Sequence, residues 1–273
     1  MSVILTDDDR KQLQVAKNLL ENPGLAAKVT SFIGVPIEKG LDLLPKNWNK
    51  KIGEVTQVAL LKASDAAIFT MQDIPGEASS NIWHKLGAAV SGGVDGFFGI
   101  AALAVELPIS TSIMLRSIAD IARNEGESIS AVDTKLACLE VFALGGRSEA
   151  DDGTESGYYA VRAALAKSVA DASEFIVGKT LTDESAPLLI KFIAKVAERF
   201  GIQITEKAAA QAIPALGAVS GAIINTIFID HFQDMARGHF LVRRLERKYS
   251  KEVVEQLQCA TSVALASSQA LRL

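Results

Sequence analysis

Cysteine is almost missing from this 273-residue chain. The two present, Cys138 and Cys259, each lie inside a helical pattern, which rules against a disulfide framework and fits a reducing cytoplasm. No CxxC pair or Cys/His group at ligand spacing occurs, so no structural zinc is expected. Aromatic residues are scarce at 6%, whereas hydrophobic residues reach 49%. The apolar content is therefore mostly Ala, Val, Ile and Leu, suited to closely packed helices. With 22% charged residues, the balance excludes disorder over most of the length. A basic excess is also lacking. The net charge of −4 argues against nucleic acid as a partner. Met1-Ser2-Val3-Ile4-Leu5-Thr6-Asp7 has no basic region followed by an apolar core, so no secretion signal is expected.

Period-2 alternation is absent over any useful length, which leaves strands without support. The chain reads as all-α: a single compact multi-helix domain with two central apolar helices at about 107–123 and 213–249. Thr6 ahead of Asp7-Asp8-Asp9 marks a helix start, and Asn22-Pro23-Gly24 marks its stop. This gives an N-terminal helix within 1–24. Helical patterns continue at about 25–43, 47–72 (Asn47 as cap) and 78–91, with Pro75-Gly76 between the last two. Pro108 suits a first helical turn, so a fresh helix is expected near 107, ending at Asn124-Glu125-Gly126. Ser130 caps the next helix, which points Leu136, Leu139 and Phe142 inward. Residues 145–157 form an acidic loop. Helices follow at 158–178, 183–200 and 205–249, then a C-terminal helix within 251–273.

Two apolar runs raise the question of a membrane. Ala208 to Ile229 carries no charge, and Gly96 to Leu115 carries only Glu106. A span needs about 20 apolar residues, and Arg243, Arg244, Arg247 and Lys248 follow the first run as a positive-inside signal would. Pro108, Pro214, Gln211 and Asn225 interrupt the runs, however, and neither has an aromatic belt. Buried helices surrounded by other helices account for the same pattern. These features favour a buried hairpin or peripheral attachment over a span.

The first run passes into Asp230-His231-Phe232-Gln233-Asp234-Met235-Ala236-Arg237-Gly238-His239. At about 100° per residue, Phe228, Phe232, Met235, His239 and Val242 share one stripe, with His231 ~60° from Phe228. Asp230, Asp234 and Arg237 lie opposite, and Asp234 and Arg237 are spaced to pair. On the helix after Pro108, Arg116, Asp120 and Arg123 share a face, with Glu106 just ahead at the expected N-terminus. The simpler reading is packed histidines and structural ion pairs. The functional reading joins Glu106, Arg116, Asp120, Asp230, His231, Asp234, Arg237 and His239 into a ligand site. Arg243, Arg244, Arg247 and Lys248 then meet anionic headgroups. A di-iron bundle needs paired Glu-x-x-His motifs, and His231-x-x-Asp234 is single. No G-x-S-x-G elbow, Walker A loop or G-x-G-x-x-G fingerprint occurs, and no cofactor or metal is implied.

Several strings appear in an order that resembles the EcsC protein family. They are Glu106-Leu107-Pro108 with Thr111 and Met114-Leu115-Arg116, then Ile121 through Glu127, Cys138 through Gly146, and Ala212-Ile213-Pro214 through Phe240. The resemblance spans about 30–250. It implies an apolar helical protein associated with ABC transport or other membrane processes, and it brings no catalytic residues. The expected role is an accessory or binding protein at the cytoplasmic face of a membrane, with a lipid or a transporter as partner. The alternatives are a hydrolase using Asp230, Asp234 and His231 or His239, and a scaffold in which these charges fix helix register.

Overall fold

The computed structural model describes residues 5–21, 24–64, 100–145, 157–178, 186–213 and 217–258. Every regular element among them is helical. In order these are α1 (Asp7–Leu20), α2 (Leu25–Ile33), α3 (Glu38–Leu41), α4 (Trp48–Ala63), α5 (Ile100–Asn124) and α6 (Val132–Glu140). A 3-10 turn (Val141–Ala143) follows, then α7 (Gly157–Gly178), α8 (Ala186–Ala212), α9 (Gly217–Tyr249) and α10 (251–258). The helix expected at 78–91, Pro75-Gly76, most of the acidic loop, the 183 start and the chain beyond 258 fall outside the described residues.

Local chemistry sets several ends as expected. Thr6 Oγ1 accepts from the Asp9 amide at 3.2 Å, capping α1 beside its three aspartates. α5 closes in a Schellman motif: Glu127 N–H bonds Ala122 C=O at 3.0 Å and Gly126 N–H bonds Arg123 C=O at 3.0 Å, with Gly126 at φ 79°. Asn47 and Ala131 occupy the cap positions of α4 and α6 without a side-chain cap bond. The expected 25–43 helix is broken, because Gly34 turns left-handed at φ 66° and ends α2.

Two helices are longer than the sequence suggested. α5 does not begin near 107; Pro108 lies inside it. The neighbouring hydroxyls turn back onto the backbone there, Ser112 Oγ donating to Pro108 C=O at 2.7 Å and Ser110 Oγ to Leu107 C=O at 3.1 Å. Glu106 is consequently inside the helix rather than at its start. α8 likewise runs through Gly201 instead of stopping at 200. The uncharged run Ala208 to Ile229 is then shared by two helices, since α8 ends at Ala212 and α9 begins at Gly217. Among the described residues, no helix is long and apolar enough to cross a membrane.

α9 is the axis of the fold, contacting α1, α2, α5 and α8, while α4 packs on α5 and α8, and α7 on α6 and α8. The two helices expected to be central supply core residues: Leu107, Met114, Leu115 and Ile118 from α5; Phe228, Phe232, Met235 and Phe240 from α9. α8 joins them through Phe192, Val196, Phe200 and Ile204. Phe142, Phe200, Phe228 and Phe232 interlock, with centroids 4.8 Å apart for Phe142–Phe200, 5.3 Å for Phe142–Phe232 and 5.0 Å for Phe228–Phe232. Such pairs add about 0.5–1.5 kcal/mol each beyond burial, and this knot ties the 3-10 turn to α8 and α9.

Candidate functional site

The chain's polar chemistry collects on α9 and the helices it touches. On its outer side, Asp234 accepts from Lys28 Nζ of α2 at 3.2 Å and from Arg237 Nη1 at 3.2 Å. Gln233 links the same side to α5, its Nε2 donating to Ser117 Oγ at 3.1 Å. Asp230, one turn earlier, is exposed. These bonds stitch α2, α5 and α9 together.

The two histidines are fully buried, as the apolar stripe required. Their rings occupy separate environments. His231 lies under Gly145, whose missing side chain is what makes room: a Cβ there would sit 2.7 Å from the ring and 2.8 Å from Met235 Sδ. Neither ring nitrogen of His231 has a hydrogen-bond partner among the described residues. Burial, helped by the positive Lys28 and opposed by Asp234, pulls its pKa down to about 4. His239 meets Tyr158, with 3.0 Å between the phenol oxygen and Nδ1. Arg162 Nη1 donates to the same phenol oxygen at 3.3 Å, and His239 Nε2 has no hydrogen-bond partner among the described residues. Burial, with Arg162 and Arg243 nearby, holds His239 well below its usual value. Eight residues separate the histidines, about 12 Å along the helix.

The remaining expected positions fall into small groups. Glu106 pairs with the buried Lys207 of α8 at 3.4 Å, and Lys207 Nζ also lies 4.8 Å from the Phe228 ring centroid. Burial lowers the Lys207 pKa against the pull of Glu106. Asp120 pairs with Arg123 at 3.5 Å, and Arg116 lies half-buried on the same helix. Glu106 and Asp120 are about 21 Å apart along α5. No group of three or more His, Cys, Asp or Glu able to hold a metal ion occurs among the described residues.

The four basic residues at the end of α9 each meet an acid. Arg243 Nε bonds Glu127 at 2.9 Å, Arg247 bonds the same carboxylate, Arg244 reaches Glu125 at 2.7 Å and Lys248 reaches Asp9 at 2.6 Å. Glu127 also accepts from Thr134 at 3.1 Å. These pairs hold the end of α9 against α1 and the turn before α6.

Two features went unread in the sequence. One is a buried cluster between α6, α7 and α9. There Arg162 makes a bidentate pair with Glu246 at 2.6 and 3.0 Å, and Glu140 is 7% exposed. Its signal was available, since Glu140 is the only charge between Leu136 and Leu144. The other is the corner from the end of α2 to the start of α4. Phe32 is 50% exposed and Leu43 56%, with Leu41 also open. Lys39, Lys46, Lys50 and Lys51 are exposed in the same stretch of chain and join no ion pair among the described residues.

Comparison with known proteins gives one family match. The model of the EcsC protein family aligns with residues 11–245, most of the chain and nearly all of the described helices. No curated protein and no solved structure matches the sequence. With that match spanning α1 to α9, the chain belongs to the EcsC protein family.

Proposed function

We propose that this EcsC protein is a helical binding protein, not an enzyme, that attaches peripherally to the cytoplasmic face of a membrane and takes anionic lipid as its ligand. The observation that carries the reading is the α2–α4 corner. Exposed Phe32, Leu41 and Leu43 share the stretch 32–51 with exposed Lys39, Lys46, Lys50 and Lys51, with Glu38 and Asp42 as the acids of that stretch. Large apolar side chains next to exposed cations suit the boundary between acyl chains and headgroups. Each such lysine contributes about 1 kcal/mol near an anionic surface. On this reading Arg243, Arg244, Arg247 and Lys248 act within the fold, and the headgroup contact belongs to the corner instead. The α9 charges then serve to fix how its helices meet.

The groups a hydrolase would use support this choice. Burial pushes the Cys138 thiol far above its usual pKa, which leaves it inert as a nucleophile. Both described histidines are enclosed, and Asp234 is occupied by Lys28 and Arg237.

Flotation with vesicles tests the proposal. The protein should float with phosphatidylglycerol-containing vesicles and not with phosphatidylcholine alone. The Lys39→Gln, Lys46→Gln, Lys50→Gln, Lys51→Gln variant should lose that binding while keeping its helical circular dichroism. Absence of binding, or binding that survives all four substitutions, would overturn it.

A further inference from the structure

α9 carries a methionine one turn after its first buried histidine, so His231 and Met235 share one face of the helix. Both are fully buried. Their ends meet at one place. The point where a Cβ on Gly145 would stand is 2.7 Å from His231 Nε2 and 2.8 Å from Met235 Sδ. Gly145 follows the 3-10 turn at φ 74°, and its lack of a side chain leaves that place to the imidazole and the thioether.

The imidazole arrives there with nothing to bond. Neither Nδ1 nor Nε2 of His231 has a hydrogen-bond partner among the described residues, although a neutral ring offers one donor and one acceptor. Leaving both unmet in an interior is costly, and buried polar groups in native proteins are ordinarily met by protein, water or an ion. His239, one turn beyond Met235, differs, because Tyr158 takes its Nδ1 at 3.0 Å. Burial keeps the His231 ring neutral, the form in which an imidazole binds a metal. The second donor narrows the choice. A thioether sulfur is soft and suits Cu(I) rather than magnesium, calcium or manganese. Lys28 and Asp234, the charged groups that act on the ring, oppose one another. The place therefore offers no net negative charge to a divalent ion.

We infer that His231 and Met235 form a two-donor site for a soft monovalent metal ion of the Cu(I) class, with Nε2 and Sδ as its ligands and Gly145 as the residue whose missing side chain spares the space. Such an ion is satisfied by few, soft donors and needs no carboxylate, so a pair suffices where zinc or iron would require a larger group. Both ligands come from α9, and the ion lies against the Gly145 backbone. Binding therefore couples α9 to the segment that leaves the 3-10 turn.

Silver(I), a redox-inert stand-in for Cu(I), is the probe. Silver nitrate is added to the whole chain, labelled at the methionine methyl carbons and the histidine ring nitrogens, beyond the two equivalents that Cys138 and Cys259 can take. NMR should show the Met235 methyl and His231 Nε2 signals shifting together and saturating with one further equivalent. His231→Leu should abolish the Met235 response, Met235→Leu the His231 response, and Gly145→Ala both, with helical circular dichroism unchanged. Silver captured by the thiols alone overturns the inference. So does a Met235 methyl that responds equally without His231, or a His231 Nε2 signal that stays put at saturating silver. The wild-type spectra decide the matter even if the variants do not fold.

Discussion

Tyr158 and His239 share a hydrogen bond of 3.0 Å that is wholly buried between α7 and α9. Removing the phenol oxygen strands the His239 nitrogen and also takes an acceptor from Arg162. Tyr158→Phe is expected to lower stability by about 1–3 kcal/mol, the cost of leaving a buried polar group unpaired. Urea denaturation measures it. A loss much below this range would mean that Arg162 and His239 find other partners.

Gly40 and Gly53 should respond oppositely to the same change. A Cβ on Gly40 would lie 2.0 Å from the backbone oxygen of Ala209, so α3 rests directly on the α8 backbone. Gly40→Ala must push two helices apart and should cost about 1–3 kcal/mol or more. Gly53, inside α4, has nothing within 4 Å of its would-be Cβ. Gly53→Ala should be neutral or stabilising by about 0.5–1 kcal/mol. Thermal melts of the pair make the comparison.

Features written in local chemistry were legible before any coordinates. Thr6 capped α1, Gly126 closed α5, and the apolar stripe of α9 placed both histidines inside. Pro108 and Gly201 misled because both are breaker signals that lie inside continuous helices here. Ser110 and Ser112 occupy backbone carbonyls around Pro108. Gly201 is buried, and the Thr56 hydroxyl oxygen of α4 lies 3.8 Å from its would-be Cβ. The partners of the α9 arginines were not legible, because Glu125 and Glu127 lie more than a hundred residues away. Spacing along one helix reveals a neighbour three or four residues off and nothing of a carboxylate brought in by folding. Exposure at the α2–α4 corner was hidden for the same reason, since Leu41 and Leu43 read as core until their surroundings are known.

Stability should rise and then fall with pH, for two separable reasons. The ordinary histidine pKa is about 6.5, and His231 is held near 4 when folded. Its contribution is present above 6.5 and lost as pH drops toward 4, by about 3 kcal/mol at most. His239 acts in the same sense. Glu140 moves oppositely: its folded value of about 7 lies above the ordinary 4.5. Its contribution is complete below 4.5 and lost as pH rises through 7, again by about 3 kcal/mol. Denaturation at pH 4.5, 6.5 and 8 should place the maximum near 6.5. His231→Leu should flatten the acid arm, and Glu140→Gln the alkaline one. Unchanged arms would remove these residues as the cause.

The membrane reading stands on the α2–α4 corner, and hydrogen exchange with and without phosphatidylglycerol vesicles addresses that corner directly. The account predicts new protection over residues 32–51 on adding vesicles, with residues 243–248 unchanged and the effect reversed by high salt. Protection at 243–248 in place of 32–51, or no change anywhere along the chain, would contradict it.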